Sequence, residues 1–105
     1  MALESFQQFI NGKFESANET FESIDPATGV AWALMPKANE AVVDRAVQSA
    51  HVAFTSGVWP TLNASARGKL LYKLADLMAA DADVLAELET KDTGKIRRET
   101  RAVIL

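Results

Sequence analysis

Asn63-Ala64-Ser65-Ala66-Arg67-Gly68-Lys69-Leu70-Leu71-Tyr72-Lys73-Leu74-Ala75-Asp76-Leu77-Met78 is the stretch whose reading decides the fold. Leu70, Leu71, Leu74, Leu77 and Met78 recur at steps of one, three and four, the apolar stripe of an amphipathic helix and not the alternation of a strand. The Asn63 side chain offers an acceptor to an orphan amide at a helix start, so the spacing predicts a helix over 64–80. Downstream, Asp81 reads as the cap of a shorter helix through Val84, Leu85 and Leu88. That helix leaves at Asp92-Thr93-Gly94, where glycine suits a helix C-terminus. Lys95 to Leu105 restarts a helical pattern with Ile96, Val103 and Ile104 apolar. It stops at Ala-Val-Ile-Leu with no cap, glycine or polar tail, so the chain is expected to be a piece cut from a longer domain.

Upstream the pattern changes to strands. In Phe9-Ile10-Asn11-Gly12-Lys13-Phe14, Asn-Gly predicts a type I′ hairpin, because both residues tolerate the positive φ that this turn requires. A second hairpin is expected, with Thr20 to Ile24 paired against Val30 to Met35 across Asp25-Pro26-Ala27-Thr28-Gly29, and Pro36 ending the strand. Neither hairpin is large enough to be stable alone. Asn39 is the expected cap of a helix reaching about Thr55, with Val43, Ala46, Val47, Ala50 and Phe54 on one face. Ala46, Ala50 and Ala53 predict close helix packing on that element. The chain thus divides into hairpins over 1–38 and three to four amphipathic helices over 39–105, an α+β arrangement.

Composition removes several classes of function. A chain of 105 residues with 49% hydrophobic and 24% charged residues is at most one globular domain. The net charge of −3 gives no general attraction to nucleic acid or to an anionic membrane, so neither is an expected partner. No apolar run approaches the roughly 18–20 residues of a membrane span. The start, Met1-Ala2-Leu3-Glu4-Ser5-Phe6, lacks a basic and then apolar leader, and a cytoplasmic location is expected. With no cysteine there is no disulfide, thiolate metal site or thiol nucleophile. The single histidine, His51, reads as a helix-surface or packing residue.

The remaining candidates for chemistry have plainer readings. Gly94-Lys95 lacks the glycine five residues earlier that a phosphate loop needs, since position 89 is Glu. Arg97, Arg98 and Arg101 have Glu99 among them and read as a solvated face or intramolecular ion pairs. Asp76, Asp81, Asp83, Glu87, Glu89 and Asp92 scatter over polar helix faces with no apolar surround to shift an acid. Asn18-Glu19-Thr20 and Asn63-Ala64-Ser65 match the glycosylation sequon by coincidence, and Trp32 and Trp59 read as packing residues. No active site is assembled by these residues, and no catalytic or coenzyme-contacting residue is assigned.

Taken in order, several of these segments resemble the N-terminal segment of the NAD(P)-dependent aldehyde dehydrogenase superfamily. They are Phe9 to Phe14, Phe21 to Gly29, Val43-Asp44-Arg45-Ala46-Val47 with Ala53-Phe54, Trp59, Arg67 to Leu71 with Leu74 to Leu77, and Leu88 to Lys95. The resemblance implies an oxidoreductase that turns an aldehyde into a carboxylic acid with NAD or NADP. A cysteine attacks the aldehyde, hydride passes to the nicotinamide, and a glutamate activates the releasing water. Those groups belong to later parts of the family's chain, so this chain alone is expected to be inactive and to hold no coenzyme. Its place would be the outer layer of the coenzyme-binding domain in an α/β parent. Its partner would be the remainder of that chain, or a second copy through exposed apolar helix faces. The resemblance also implies a structural monovalent cation held by the Ile24 carbonyl and Asp92. Ile96 stands where the family commonly has proline. The reading from another class is a free-standing, non-catalytic helical interaction or oligomerisation module.

Overall fold

The computed structural model describes residues 3–104, with side chains to Ala102. The start at Met1-Ala2, the end at Leu105 and the apolar side chains of Val103 and Ile104 lie outside the described residues. Five strands precede four helices: β1 (Glu4–Ser5), β2 (Gln8–Ile10), β3 (Lys13–Glu15), β4 (Glu19–Asp25), β5 (Val30–Lys37), α1 (Glu40–Ser56), α2 (Ala64–Ala80), α3 (Ala82–Thr93) and α4 (Arg97–Ile104). A single 3-10 turn, Trp59–Thr61, lies between α1 and α2.

The first hairpin forms as its turn residues dictate. Asn11 and Gly12 have φ of 52° and 75°, and Phe9 pairs with Phe14 across strands β2 and β3. Their rings lie 4.9 Å apart between centroids, a cross-strand aromatic pair. The second hairpin turns on Asp25, whose carboxylate accepts the Ala27 amide at 2.8 Å while its carbonyl accepts the Gly29 amide at 2.8 Å. Gly29 takes φ of 69° there.

Two features of the sheet differ from expectation. β1 pairs in parallel with β5, Glu4 opposite Ala33 and Ser5 opposite Leu34, so the second hairpin belongs to a mixed sheet in the order β1-β5-β4. A strand of two residues has no periodicity to read. Pro36 does not end its strand: β5 continues to Lys37, with Pro36 opposite Thr20. β1 pairs only at Ala33 and Leu34, so on that side Pro36 sits at an open edge where its missing N–H is not needed.

The helix starts follow their caps. Asn39 Oδ1 accepts the Val42 amide at 3.0 Å and Asn63 Oδ1 accepts the Ala66 amide at 2.8 Å. Asp81 works differently from its expected role. The junction of α2 and α3 falls on it, and its carbonyl accepts the Leu85 amide at 3.0 Å, but its side chain caps nothing. One residue separates the two helices, and with φ −99° and ψ 14° it never reaches the extended geometry a side-chain cap needs.

α3 lies against β4 and α4, and its small residues Ala82 and Ala86 are buried there. Thr100 of α4 is fully buried, its hydroxyl 3.2 Å from the Ala86 carbonyl and 3.1 Å from Thr90 Oγ1. With Ala33 of β5, these are the buried side chains among the described residues. The rest of the chain is thinly covered. The molecule is a slab of 48 × 35 × 17 Å whose radius of gyration is 17.0 Å, where a compact chain of this length has about 13 Å. It exposes 8140 Å², against about 5,800 Å² for a compact chain of this mass.

The surplus, about 2,300 Å² by that scaling, has named owners. On α1, Val43, Val47 and Phe54 are 51%, 60% and 73% exposed, and Ala50 and Ala53 are exposed too, so the close helix packing predicted from its alanines is absent among the described residues. On α2, every residue from Leu71 to Ala80 is exposed. The stripes that the periodicity assigned to a core face outward.

Hairpin β2–β3 is tied to α1 by an ion pair. Arg45 Nη1 lies 2.9 Å from each carboxylate oxygen of Glu15. The Arg45 hydrogen bond holds the Glu15 carboxyl below its ordinary value, with desolvation opposing and the guanidinium charge adding to it; the same contact raises Arg45. A carboxyl with a depressed folded pKa contributes its stability above the unfolded value of about 4.3. That contribution is lost as pH falls through the lower folded value. An NMR titration is expected to find Glu15 below the ordinary glutamate range, and Arg45→Gln to return it there. Identical titrations in the two proteins would remove the tether.

Candidate functional site

The two positions marked by sequence for a cation, Ile24 and Asp92, stand on elements that meet. Ile24 lies in β4, which α3 packs against, and Asp92 lies in the last turn of α3. The register of β4 on β5 shifts between Ser23 and Ile24, so Ile24 sits where the regular ladder is interrupted. Ser23 Oγ donates a short hydrogen bond to Asp92 Oδ1. Two residues on, Gly94 closes α3 in the left-handed conformation at φ 75°, its amide donating to the Thr90 carbonyl at 2.9 Å. A Cβ at Gly94 would lie 2.8 Å from Pro26 Cγ. The Asp25-Pro26 turn and the end of α3 are therefore fitted to each other at two points, Ser23 with Asp92 and Pro26 with Gly94.

Ser23 is a residue that the sequence reading missed. It is 69 positions from Asp92, and no local pattern marks the pair. The donors at this corner are hydroxyl, carboxylate and backbone oxygens, the set that suits a hard cation and not a soft one. Among the described residues no group of three or more His, Cys, Asp or Glu converges as a metal cage would.

The other motifs resolve into structure. Lys95 Nζ reaches Glu89 Oε1 at 2.9 Å, and that hydrogen bond first, then the carboxylate's charge, raises the Lys95 pKa. The helix C-terminus at Gly94 follows a helix and no strand, which removes the phosphate-loop reading. Arg101 Nε pairs with Asp83 Oδ1 at 2.8 Å, an intramolecular use of one terminal arginine. Asn63 of the second sequon spends its side chain on a helix cap. His51 lies exposed in α1. Trp32 is half-buried and meets Phe6 edge-on at 5.8 Å, so it is a packing residue as read. No described helix is long and apolar enough to cross a membrane.

Comparison with known proteins agrees with this layout. A dehydrogenase of (Z)-2-((N-methylformamido)methylene)-5-hydroxybutyrolactone from Acinetobacter baylyi is 56% identical over 97% of this chain, which spans 21% of that protein. The NADP/NAD-dependent aldehyde dehydrogenase PuuC of Escherichia coli is 43% identical over 96% of this chain and 21% of its own. Among solved structures, an aldehyde dehydrogenase from Bacillus cereus in its NAD+ complex superposes with a TM-score of 0.90 at 40% identity, over 94% of this chain and 21% of that one. The chain therefore spans about one-fifth of the length of the relatives it matches. The sequence profile described as "Aldehyde dehydrogenase family" takes in residues 14–105, nearly the whole chain from the first hairpin onward, and the chain belongs to that family.

Proposed function

We propose that the parent of this chain is an oxidoreductase converting an aldehyde to a carboxylic acid with NAD or NADP. Residues 1–105 then form an incomplete N-terminal part of its coenzyme-binding domain, with the hairpins over 1–38 and the helical layer over 39–105. The observation that carries this is the pairing of near-complete coverage of this chain with one-fifth coverage of its relatives. The outward-facing stripes of α1 and α2 support it, since a layer needs a body to cover. The sequence has no cysteine, so the nucleophile, the glutamate base and the dinucleotide fold come from the remainder of the parent. NAD is supported by the coenzyme complex of the Bacillus cereus relative, and both coenzymes by the name of the Escherichia coli one. The reading takes the parent to be a cytoplasmic oligomer.

The test is the gene. A reading frame continuing past Leu105 is expected to encode a full-length protein that reduces NAD+ or NADP+ with an aldehyde, while the 105-residue chain does neither. A frame ending at Leu105, or a long product inert toward a panel of aldehydes, overturns the reading. A free-standing interaction module is the second reading, favoured by the run Leu71 to Ala80, every residue of which is exposed. The short chain alone is expected to self-associate through the same faces or to remain partly molten. Sedimentation should give a mass that rises with concentration, and a sharp, concentration-independent unfolding of a monomer would count against it.

For the corner at Asp92 we propose a monovalent cation held by the Ile24 carbonyl and the Asp92 carboxylate, the other donors coming from the absent remainder. The interrupted ladder at Ile24 and the Ser23 hydroxyl on the Asp92 carboxylate support it. Replacing sodium and potassium by tetramethylammonium is expected to lower the melting temperature of the full-length protein. Asp92→Asn should lose that dependence, and a variant as cation-sensitive as the wild type would exclude the site.

A further inference from the structure

Of the four asparagines in the chain, only Asn11 precedes a glycine. Asn39 and Asn63 spend their side-chain oxygens on helix caps, and Asn18 precedes Glu19, whose side chain shields the amide between them. Asn11 and Gly12 are both exposed, and a Cβ added at Gly12 would meet nothing within 4 Å. No side chain therefore crowds that part of the turn. Asn11 also lines a cleft of about 600 Å³ between the hairpin and α1, the cleft that holds Glu15 and Arg45. The hairpin itself is slight. Its residue pairs, Gln8 with Glu15, Phe9 with Phe14 and Ile10 with Lys13, form a separate two-stranded sheet, and a sheet of that size is at best marginally stable. The Glu15–Arg45 ion pair ties it to α1, and Gln7 Nε2 donates to Ser16 Oγ at 3.1 Å across its open end.

We propose that Asn11 is a site of spontaneous deamidation, and that opening of the β2–β3 turn sets its rate. The Gly12 nitrogen loses its proton and attacks the side-chain carbonyl carbon of Asn11. A bond forms between that nitrogen and Cγ, the Cγ–Nδ2 bond breaks, and the amide group leaves as ammonia after taking up a proton. Water then opens the five-membered imide at either carbonyl, giving aspartate or isoaspartate. The balance is a water consumed and an ammonia released, with no oxidant and no cofactor. The closed turn resists the first step. At φ 52° Asn11 is left-handed, and a residue in that region has ψ of about 30–60°. This torsion sets Cβ and the following nitrogen on nearly opposite sides of the Cα–C bond. The ring cannot close until the Asn11 backbone rotates out of the turn, and local opening of a weakly held hairpin is enough for that. Isoaspartate adds a methylene to the main chain, so a two-residue loop no longer holds Phe9 opposite Phe14. The chemistry belongs to the turn, whatever reaction the parent protein carries out.

Peptide mapping by mass spectrometry tests this on the full-length protein aged in warm, mildly alkaline buffer, with isoaspartate read by enzymatic methylation of its carboxylate. Conversion is expected at Asn11 ahead of Asn18, Asn39 and Asn63, with both acids among the products. In urea, where the turn is released, Asn11 should convert at least about tenfold faster. Arg45→Gln removes the tie to α1, so it should speed conversion in buffer a few fold and leave the rate in urea unchanged. Asn11 staying intact in buffer while it converts in urea would mean that the turn stays closed or covered in the parent, and overturns the site. Earlier conversion at another asparagine overturns the assignment to Asn11. Equal rates in buffer and urea, or an Arg45→Gln rate in buffer equal to that of the wild type, would remove turn opening as the controlling step.

Discussion

Gly94→Ala is expected to destabilise the protein by about 3 kcal/mol, the sum of two separable costs. The first is conformational. At φ 75° a side chain crowds its own backbone, which costs about 1–2 kcal/mol for any residue with a Cβ. The second is a collision, because the new Cβ would lie 2.8 Å from Pro26 Cγ on a ring that cannot rotate away. Overpacking of this kind costs about 1–3 kcal/mol. Gly29 separates the two terms, since it has φ of 69° and nothing within 4 Å of its added Cβ. Gly29→Ala is therefore expected to show the first cost alone. Denaturant unfolding of the full-length protein measures both, and equal losses at the two positions would refute the collision. Pro26→Ala combined with Gly94→Ala should recover about 1 kcal/mol relative to the sum of the single changes. Because Gly94 sets how closely the end of α3 approaches the Asp25-Pro26 turn, Gly94→Ala is also expected to weaken the monovalent-cation dependence proposed for Asp92.

The parts of this molecule legible in sequence were those whose cause is local. α2 runs from Ala64 to Ala80 because Asn63 caps it and its leucines keep the helical period. The Asn11-Gly12 turn takes two positive φ values because those two residues tolerate them. β1 was not legible, being two residues long and held only by the distant partner residues Ala33 and Leu34. Pro36 misled because its effect depends on whether a neighbour needs its N–H, and that is decided by where β1 ends. The corner at Ile24 and Asp92 could be marked only through family resemblance, because Ser23 and Asp92 meet across two elements. The alanines of α1 misled in another way. They predict close helix packing, and among the described residues no α-helix packs closely on α1, the same imbalance that leaves Val47 and Phe54 exposed.

Thr100→Val is expected to be the most costly change that keeps the volume of its side chain. Thr100 is fully buried, and its hydroxyl lies 3.2 Å from the Ala86 carbonyl, 3.0 Å from the Arg97 carbonyl and 3.1 Å from Thr90 Oγ1. A hydroxyl has one proton to donate, so it serves one carbonyl at a time and accepts from Thr90. Valine replaces this junction with a methyl group and leaves the half-buried Thr90 hydroxyl without that partner, a loss of about 1–3 kcal/mol. Thr100→Ser keeps the hydroxyl and loses a methyl, at about 1 kcal/mol. The ordering of valine above serine is the test, because a site valued for apolar packing alone would reverse it. The consequence reaches α4, whose eight residues cannot hold a helix unaided. Its other tie to α3 is the exposed Arg101–Asp83 pair, worth about 0.2–1 kcal/mol at a solvated surface. Arg101→Gln is therefore expected to change stability far less than Thr100→Val, and exchange of the α4 amides should rise in the valine variant while α3 stays protected by β4. If Arg101→Gln freed α4 and Thr100→Val did not, the charged contact and not the buried hydroxyl would be what holds the last helix.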